Sequence, residues 1–329
     1  MASNPTAINR DLAVSDLIAD NVQKIWSHRY CTYGIALVRI GYGMSWLLLA
    51  ITNHQDRSYL WGPQGAYSYD LFQQGSVFPY FSLFQLSDQA LYFELIFHIG
   101  IIVTLLFMLG TLGRLGVVLQ YIFVASLYHR NPIILDGGDN IALLVLFWLM
   151  LADSSAVALR PRRSDATRPT QRNSIATFLH NVAVTAVISQ LSILYLLSGL
   201  YKAQGSTWFE GTALYYIFQV PEFSWPPLTD ILRSSLTFGL VASYLTIFFQ
   251  ISMPALLLSR IGRFAFLAFA IPFHGSIALF MGLTSFASFM LATECVLIKD
   301  SEYDACRVGL LRIYGSMGRR TRRVFAKMG

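Results

Sequence analysis

Long windows of apolar residues dominate this chain, and polar residues gather in the gaps between them. A helix of about 20 apolar residues matches the hydrocarbon thickness of a bilayer. Such windows stand at about 33–53, 90–110, 112–128, 139–158, 175–201, 234–258, 262–282 and 283–299. The pattern predicts an all-α fold, a polytopic transmembrane helix bundle with about eight spanning helices. The apolar windows run almost continuously, so no soluble domain of useful size fits between them. Three regions follow: a cytoplasmic segment over 1–30, a transmembrane domain over 31–299, and a basic amphipathic tail over 300–329.

Composition agrees with this pattern. Of 329 residues, 55% are hydrophobic and 13% charged, whereas a soluble domain carries about 25% charged residues. The net charge of +6 has a topological explanation. Lys24 and Arg29 precede the first window, and Arg114 lies in the second connection. Arg160, Arg162, Arg163, Arg168 and Arg172 fill the fourth, Arg260 and Arg263 mark the sixth, and Arg319, Arg320, Arg322 and Arg323 crowd the tail. With eight spans all of these fall on one side, which the positive-inside rule makes the cytoplasm. The expected location is the cell membrane, multi-pass, with both termini cytoplasmic. The lipid bilayer is then the partner that the charge implies, and no nucleic acid is needed. The alternating apolar and basic residues of the tail suit the anionic inner leaflet.

Met1 to Gln23 lacks an apolar signal core, so the first span is expected to direct insertion. Cys31, Cys295 and Cys306 match no zinc or haem spacing and read as small apolar residues. The six histidines show no i,i+3 or i,i+4 pair, so no metal site is predicted. The chain has no P-loop, no Gly-x-Ser-x-Gly and no dinucleotide fingerprint. It also lacks a sequence repeat, which argues against a transporter built from inverted repeats.

Unusual polar residues collect toward the extracytoplasmic side. One group is Tyr128-His-Arg-Asn-Pro-Ile-Ile-Leu-Asp-Gly-Gly-Asp-Asn140. It reads either as a capped turn with Arg130 balancing an aspartate, or as the wall of an active site that includes Asp139. A second group runs from Lys202 to Tyr216 and alternates polar and aromatic residues. Lys202 follows a long apolar helix directly. It is either an interfacial anchor, paired with Glu210 at most weakly, or an amine kept dry enough to act as a general base. His274 falls near the middle of the seventh window, where an imidazole faces protein or a water-filled cavity. Arg39 and Glu94 form a plausible buried pair.

These stretches resemble the HTTM family, the transmembrane domain shared with vitamin K-dependent gamma-carboxylases, in its stand-alone bacterial type. The matching residues are Val38-Arg-Ile-Gly41, Leu60-Trp-Gly-Pro63, His129-Arg-Asn-Pro132, Gly137-Gly-Asp139, Gly199-Leu-Tyr-Lys202, Trp208-Phe-Glu-Gly-Thr-Ala-Leu-Tyr-Tyr216, Phe273-His274 and Gly282-Leu283. The likeness spans about residues 30 to 298. It implies that Lys202 is the base that deprotonates a reduced quinone, a menaquinol or vitamin K hydroquinone-like molecule. His274, Asp139 and Glu210 would assist it, and Trp208, Tyr201 and Tyr215 would bind the quinone. Two departures accompany the likeness. Asp139-Asn140 stands where the carboxylases carry a histidine. The chain also ends soon after the eighth window, where they continue into a large extracytoplasmic portion that grips the peptide substrate. Peptidyl-glutamate carboxylation is therefore not carried over, and the leading expectation is a quinol-dependent membrane enzyme of carboxylase or oxygenase type that acts on another substrate with Lys202 as base. Some HTTM proteins resemble the membrane component that matures a secreted sporulation-delaying toxin, so a non-enzymatic factor for a secreted peptide partner is the alternative expectation. A transporter is the third.

Overall fold

The structure is a computed structural model that describes residues 23–74, 81–159, 171–309 and 311–312. The linker expected over 160–173 and the basic tail beyond residue 312 lie almost wholly outside the described residues. Eight principal helices stand where the windows predict them: α1 (Thr32–Thr52), α2 (Ala90–Leu109), α3 (Arg114–Arg130), α4 (Gly137–Leu149), α5 (Gln171–Gln204), α6 (Leu236–Leu256), α7 (Arg260–Met281) and α8 (Thr284–Glu294). No strand occurs among the described residues. Five helices, namely α1, α2, α5, α6 and α7, are long and apolar enough to cross a membrane. α4 and α8 are apolar but shorter.

The side chains on α2 show why these are membrane helices. Leu91, Leu95, Ile99 and Ile102 recur every three or four residues and are more than half exposed. Phe93, Phe97, Gly100, Thr104 and Phe107 form the opposite, buried face. The outward stripe is as apolar as the inward one, and only a hydrocarbon solvent leaves such a surface without penalty. The chain is a membrane protein on this evidence.

α4 ends at Leu149, well short of the window that reaches residue 158. Local polar bonds stop it. Ser155 N–H donates to Asp153 Oδ1 at 3.0 Å, and Asp153 N–H donates to His180 Nδ1 at 3.0 Å. These side-chain acceptors replace the helical carbonyls that the same N–H groups would otherwise need.

Helices α1 and α2 pack together, and α8 fits against α1, α4 and α7. α5 and α6 form the other long seam. Two aromatic clusters fill the interior. Tyr42, Trp46, Phe107 and Phe289 lie between α1, α2 and α8. Tyr195, Phe249, Phe266 and Phe273 lie between α5, α6 and α7.

The expected Arg39–Glu94 pair does not form. α1 and α2 run antiparallel, so Arg39 near the start of α1 meets the end of α2. Its guanidinium donates to Phe107 O at 2.7 Å, and to the carbonyls of Met108 and Val157. The α2 carbonyls are the orphan acceptors of a helix C-terminus, where the dipole also favours a cation. Gly110 closes α2 with φ 70°, and its missing Cβ leaves room for the guanidinium. Glu94, at the other end, pairs instead with Arg57 at 2.9 Å.

Arg130 does not balance an aspartate either. It is 2% exposed and donates to the carbonyls of Tyr67 at 2.8 Å and Gly62 at 2.5 Å. Asn131 Nδ2 donates to Leu60 O at 2.8 Å. The Arg-Asn-Pro turn therefore clamps the Leu60-Trp-Gly-Pro63 segment onto the bundle.

Candidate functional site

Among the described residues, no hydrogen bond or ion pair joins any two of the four residues expected to share acid–base work, Lys202, His274, Asp139 and Glu210. Asp139 belongs to the N-terminal cap of α4. Asp136 Oδ1 accepts from Gly138 N–H at 2.6 Å and Asp139 N–H at 3.2 Å, while Asp139 Oδ2 accepts from Asp136 N–H at 2.9 Å. This reciprocal box makes Asp136 the cap of the turn. Asp139 also accepts from the Tyr128 hydroxyl, which takes a bond from Trp46 Nε1–H at 2.9 Å.

Lys202 sits in the last turn of α5 and is half-buried. Its ammonium lies 5.3 Å from the centre of the Trp208 ring and 3.5 Å from Ser198 O. No ion pair joins it to Glu210 among the described residues. A cation over an indole face beside a helix-end carbonyl is a stable arrangement for an interfacial lysine.

Glu210 is exposed and lies on the wall of a cleft of about 470 Å³. Tyr215, Tyr216 and Phe218 line one side of this cleft, and Leu236, Phe238 and Leu240 the other. The cleft is thus lined by much of the second polar group read in the sequence, Lys202 to Tyr216. Of the three residues expected to hold a quinone, Tyr215 lines this cleft, and Tyr201 and Trp208 are not among its lining residues. Tyr201 is 73% exposed, Trp208 covers Lys202, and Tyr215 stacks edge-on against Tyr216 with ring centres 5.5 Å apart.

His274 lies deep in the bundle at 1% exposure, next to two residues that the sequence reading did not select. Tyr195 Oη is 2.6 Å from His274 Nε2 and 2.5 Å from Glu294 Oε1. His274 Nε2 and Glu294 Oε1 are 3.1 Å apart. Tyr195 is 1% exposed and Glu294 2%. Three helices therefore bring a phenol, an imidazole and a carboxyl into one closed triangle. Phe249, Phe266, Phe273 and Phe286 surround it. The signal for Glu294 was present in the sequence, because an acidic residue within an apolar window marks a functional candidate. Tyr195 carries no such signal, since tyrosine is common in these windows.

A second polar network closes the opposite end of the bundle, where Arg29, Arg260 and Arg263 lie. His180 Nδ1 accepts from Asp153 N–H, so its Nε2–H donates to Tyr30 O at 2.8 Å. Asn181 binds the carbonyls of Ile25 and His28. Arg29 pairs with Asp153, and Arg263 with Glu302 at 2.5 Å. These contacts fix the segment before α1 against α5 and suit a structural role.

The chain is similar to the curated sporulation-delaying protein SdpB of Bacillus subtilis (strain 168). The two are 26% identical over 197 residues, which is 57% of this chain and 58% of the relative. No family model matches, and no solved structure matches either. The chain therefore stands at a distance from this sporulation-delaying protein and spans somewhat more than half of its length.

Proposed function

We propose that this is an HTTM-type protein of the cell membrane that acts in the maturation or export of a secreted peptide, with both termini in the cytoplasm. The outer cleft between Glu210–Phe218 and Leu232–Leu240 is the observation that carries this reading. Its volume of about 470 Å³ falls within the range of ligand pockets. Apolar and aromatic walls with one carboxylate and a few hydroxyls suit a short peptide segment better than an ion. Similarity to a sporulation-delaying protein supports a peptide partner over a metabolite. In this reading Lys202 and Trp208 hold the end of α5 against the loop that builds the cleft wall.

A quinol-dependent enzyme with Lys202 as base is the second reading. Its favouring observation is that the lysine stays half-buried over Trp208 rather than extending into water. The two readings separate by photocrosslinking from a benzoylphenylalanine placed at Tyr216 in growing cells. Mass spectrometry of the purified adduct is expected to find a peptide. A quinone or lipid adduct without peptide would transfer the argument to the second reading.

A further inference from the structure

We propose that Tyr195, His274 and Glu294 form a proton-binding site in the interior of the membrane domain, which takes up and releases one proton. The argument begins with a count of donors. Three heavy atoms, Oη, Nε2 and Oε1, lie within hydrogen-bond distance of one another, at 2.6, 2.5 and 3.1 Å. The phenol has one proton to donate. If it goes to the carboxylate, the imidazole satisfies the remaining contacts with Nε2–H. The proton then cannot also stand on Nδ1 unless the ring is charged.

His274 Nδ1 is fully buried and has no hydrogen-bond partner among the described residues. In the arrangement with Nε2–H, the site holds a carboxylate, a phenol and a neutral imidazole, with net charge −1. Such a charge is costly in the interior of a membrane protein. One added proton cancels it. The proton can sit on Nδ1, giving an imidazolium beside the carboxylate, but that N–H has no acceptor. It can sit instead on Glu294, giving a neutral acid, but then a donor in the triangle has to turn. Each state corrects one fault and creates another. A site with two imperfect states is poised to exchange a proton, whereas a structural cluster settles in one satisfied state. The cap around Asp136 and the His180 network both reach such satisfaction.

The neighbours do not supply the missing charge. α6 presents Phe249, α7 presents Phe266 and Phe273, and α8 presents Phe286. α1 presents Tyr42, whose hydroxyl is 2.7 Å from Thr293 Oγ1. No other charged side chain bonds to the three among the described residues. On α5 itself, Lys202 lies seven residues beyond Tyr195. That is about 10 Å at 1.5 Å per residue and on the same helix face. Gln250 packs at Gly199 between them and carries a buried Oε1 without a partner among the described residues. Gln250 and Lys202 thus lie between the site and the loop end of the bundle.

pH-difference infrared spectroscopy of the full-length protein in lipid nanodiscs tests the proposal. The expected spectrum contains a carboxylic acid band and a histidine ring band that titrate together. E294Q should lose the carboxyl band, and Y195F should shift both. Spectra of the two variants that superimpose on that of the unaltered protein would overturn the proposal. Should the variants fail to fold, ¹⁵N-histidine spectra of the unaltered protein decide. A ring that titrates at Nδ1 while shielded from an aqueous paramagnetic agent supports the site. Titration confined to histidines that the agent reaches refutes it.

Discussion

Lys202 and Arg39 face the same problem, a cation at the end of an apolar helix, and solve it differently. Arg39 is 1% exposed and spends its N–H groups on the carbonyls that end α2 and on Val157 O. Lys202 keeps partial contact with solvent and rests on Trp208. This contrast makes Lys202→Arg an informative substitution. A guanidinium stacks on indole at least as well as an ammonium, but it cannot give up its proton in a protein. If Lys202 is an anchor, K202R should accumulate in the membrane and support peptide maturation within about threefold of the unaltered chain. If it is a base, K202R should insert normally and be inactive. Measuring the mature peptide in culture supernatant against membrane-fraction protein separates the outcomes. The sequence singled out Lys202 for its position after an apolar helix and for the family motif that it ends. It could not show which ring would receive it, because Trp208 comes near only when the chain turns back after Gln204.

At the scale of helices, hydropathy located α1 to α8 because a period of apolar residues and a length limit are local properties. The pairing of helices is not local. Arg39 and Glu94 look matched along the sequence, yet antiparallel packing puts them at opposite ends of α1 and α2. The Tyr195–His274–Glu294 cluster was half legible for the same reason: His274 stands out within its window, while its partners come from α5 and α8. The α5–α6 seam shows how tightly such positions are fixed. A Cβ at Gly199 would lie 2.7 Å from Ile251 Cγ1 and 2.9 Å from Ile251 N, so the backbone of α6 would have to move. Gly199→Val should therefore cost roughly 1–3 kcal/mol through overpacking. The thermal midpoint in detergent should fall, and trypsin should cut the loop between α5 and α6 sooner. An unchanged midpoint would mean that the seam is looser than these distances imply.

For the whole molecule, the decisive question is which end faces the cytoplasm. The end that holds Arg29, Asp153 and His180 behaves as a structural clasp, and its pH response is predictable. Burial pushes the Asp153 carboxyl up, but bonds from Ser155 and the nearby Arg29 charge more than offset this and hold it below the usual carboxylate range. A depressed folded value means that the clasp stabilises above the unfolded pKa of about 4 and weakens as pH falls through the folded value. Asp153→Asn should lower the thermal midpoint at neutral pH by an amount equivalent to about 1 kcal/mol, and the difference should shrink in acid. The same end offers a natural reporter of topology. Cys31 is a poor nucleophile, because burial and then Asp300 raise its thiol to about 11. Cys306 is exposed on the segment that follows α8. In intact cells an impermeant maleimide should leave Cys306 unmodified, and opening the membrane should expose it. A cysteine introduced at Glu222, on the loop that lies beyond the cleft, should react in intact cells. The opposite pattern would invert the molecule, put the cleft in the cytoplasm, and remove the reason for assigning it a secreted peptide.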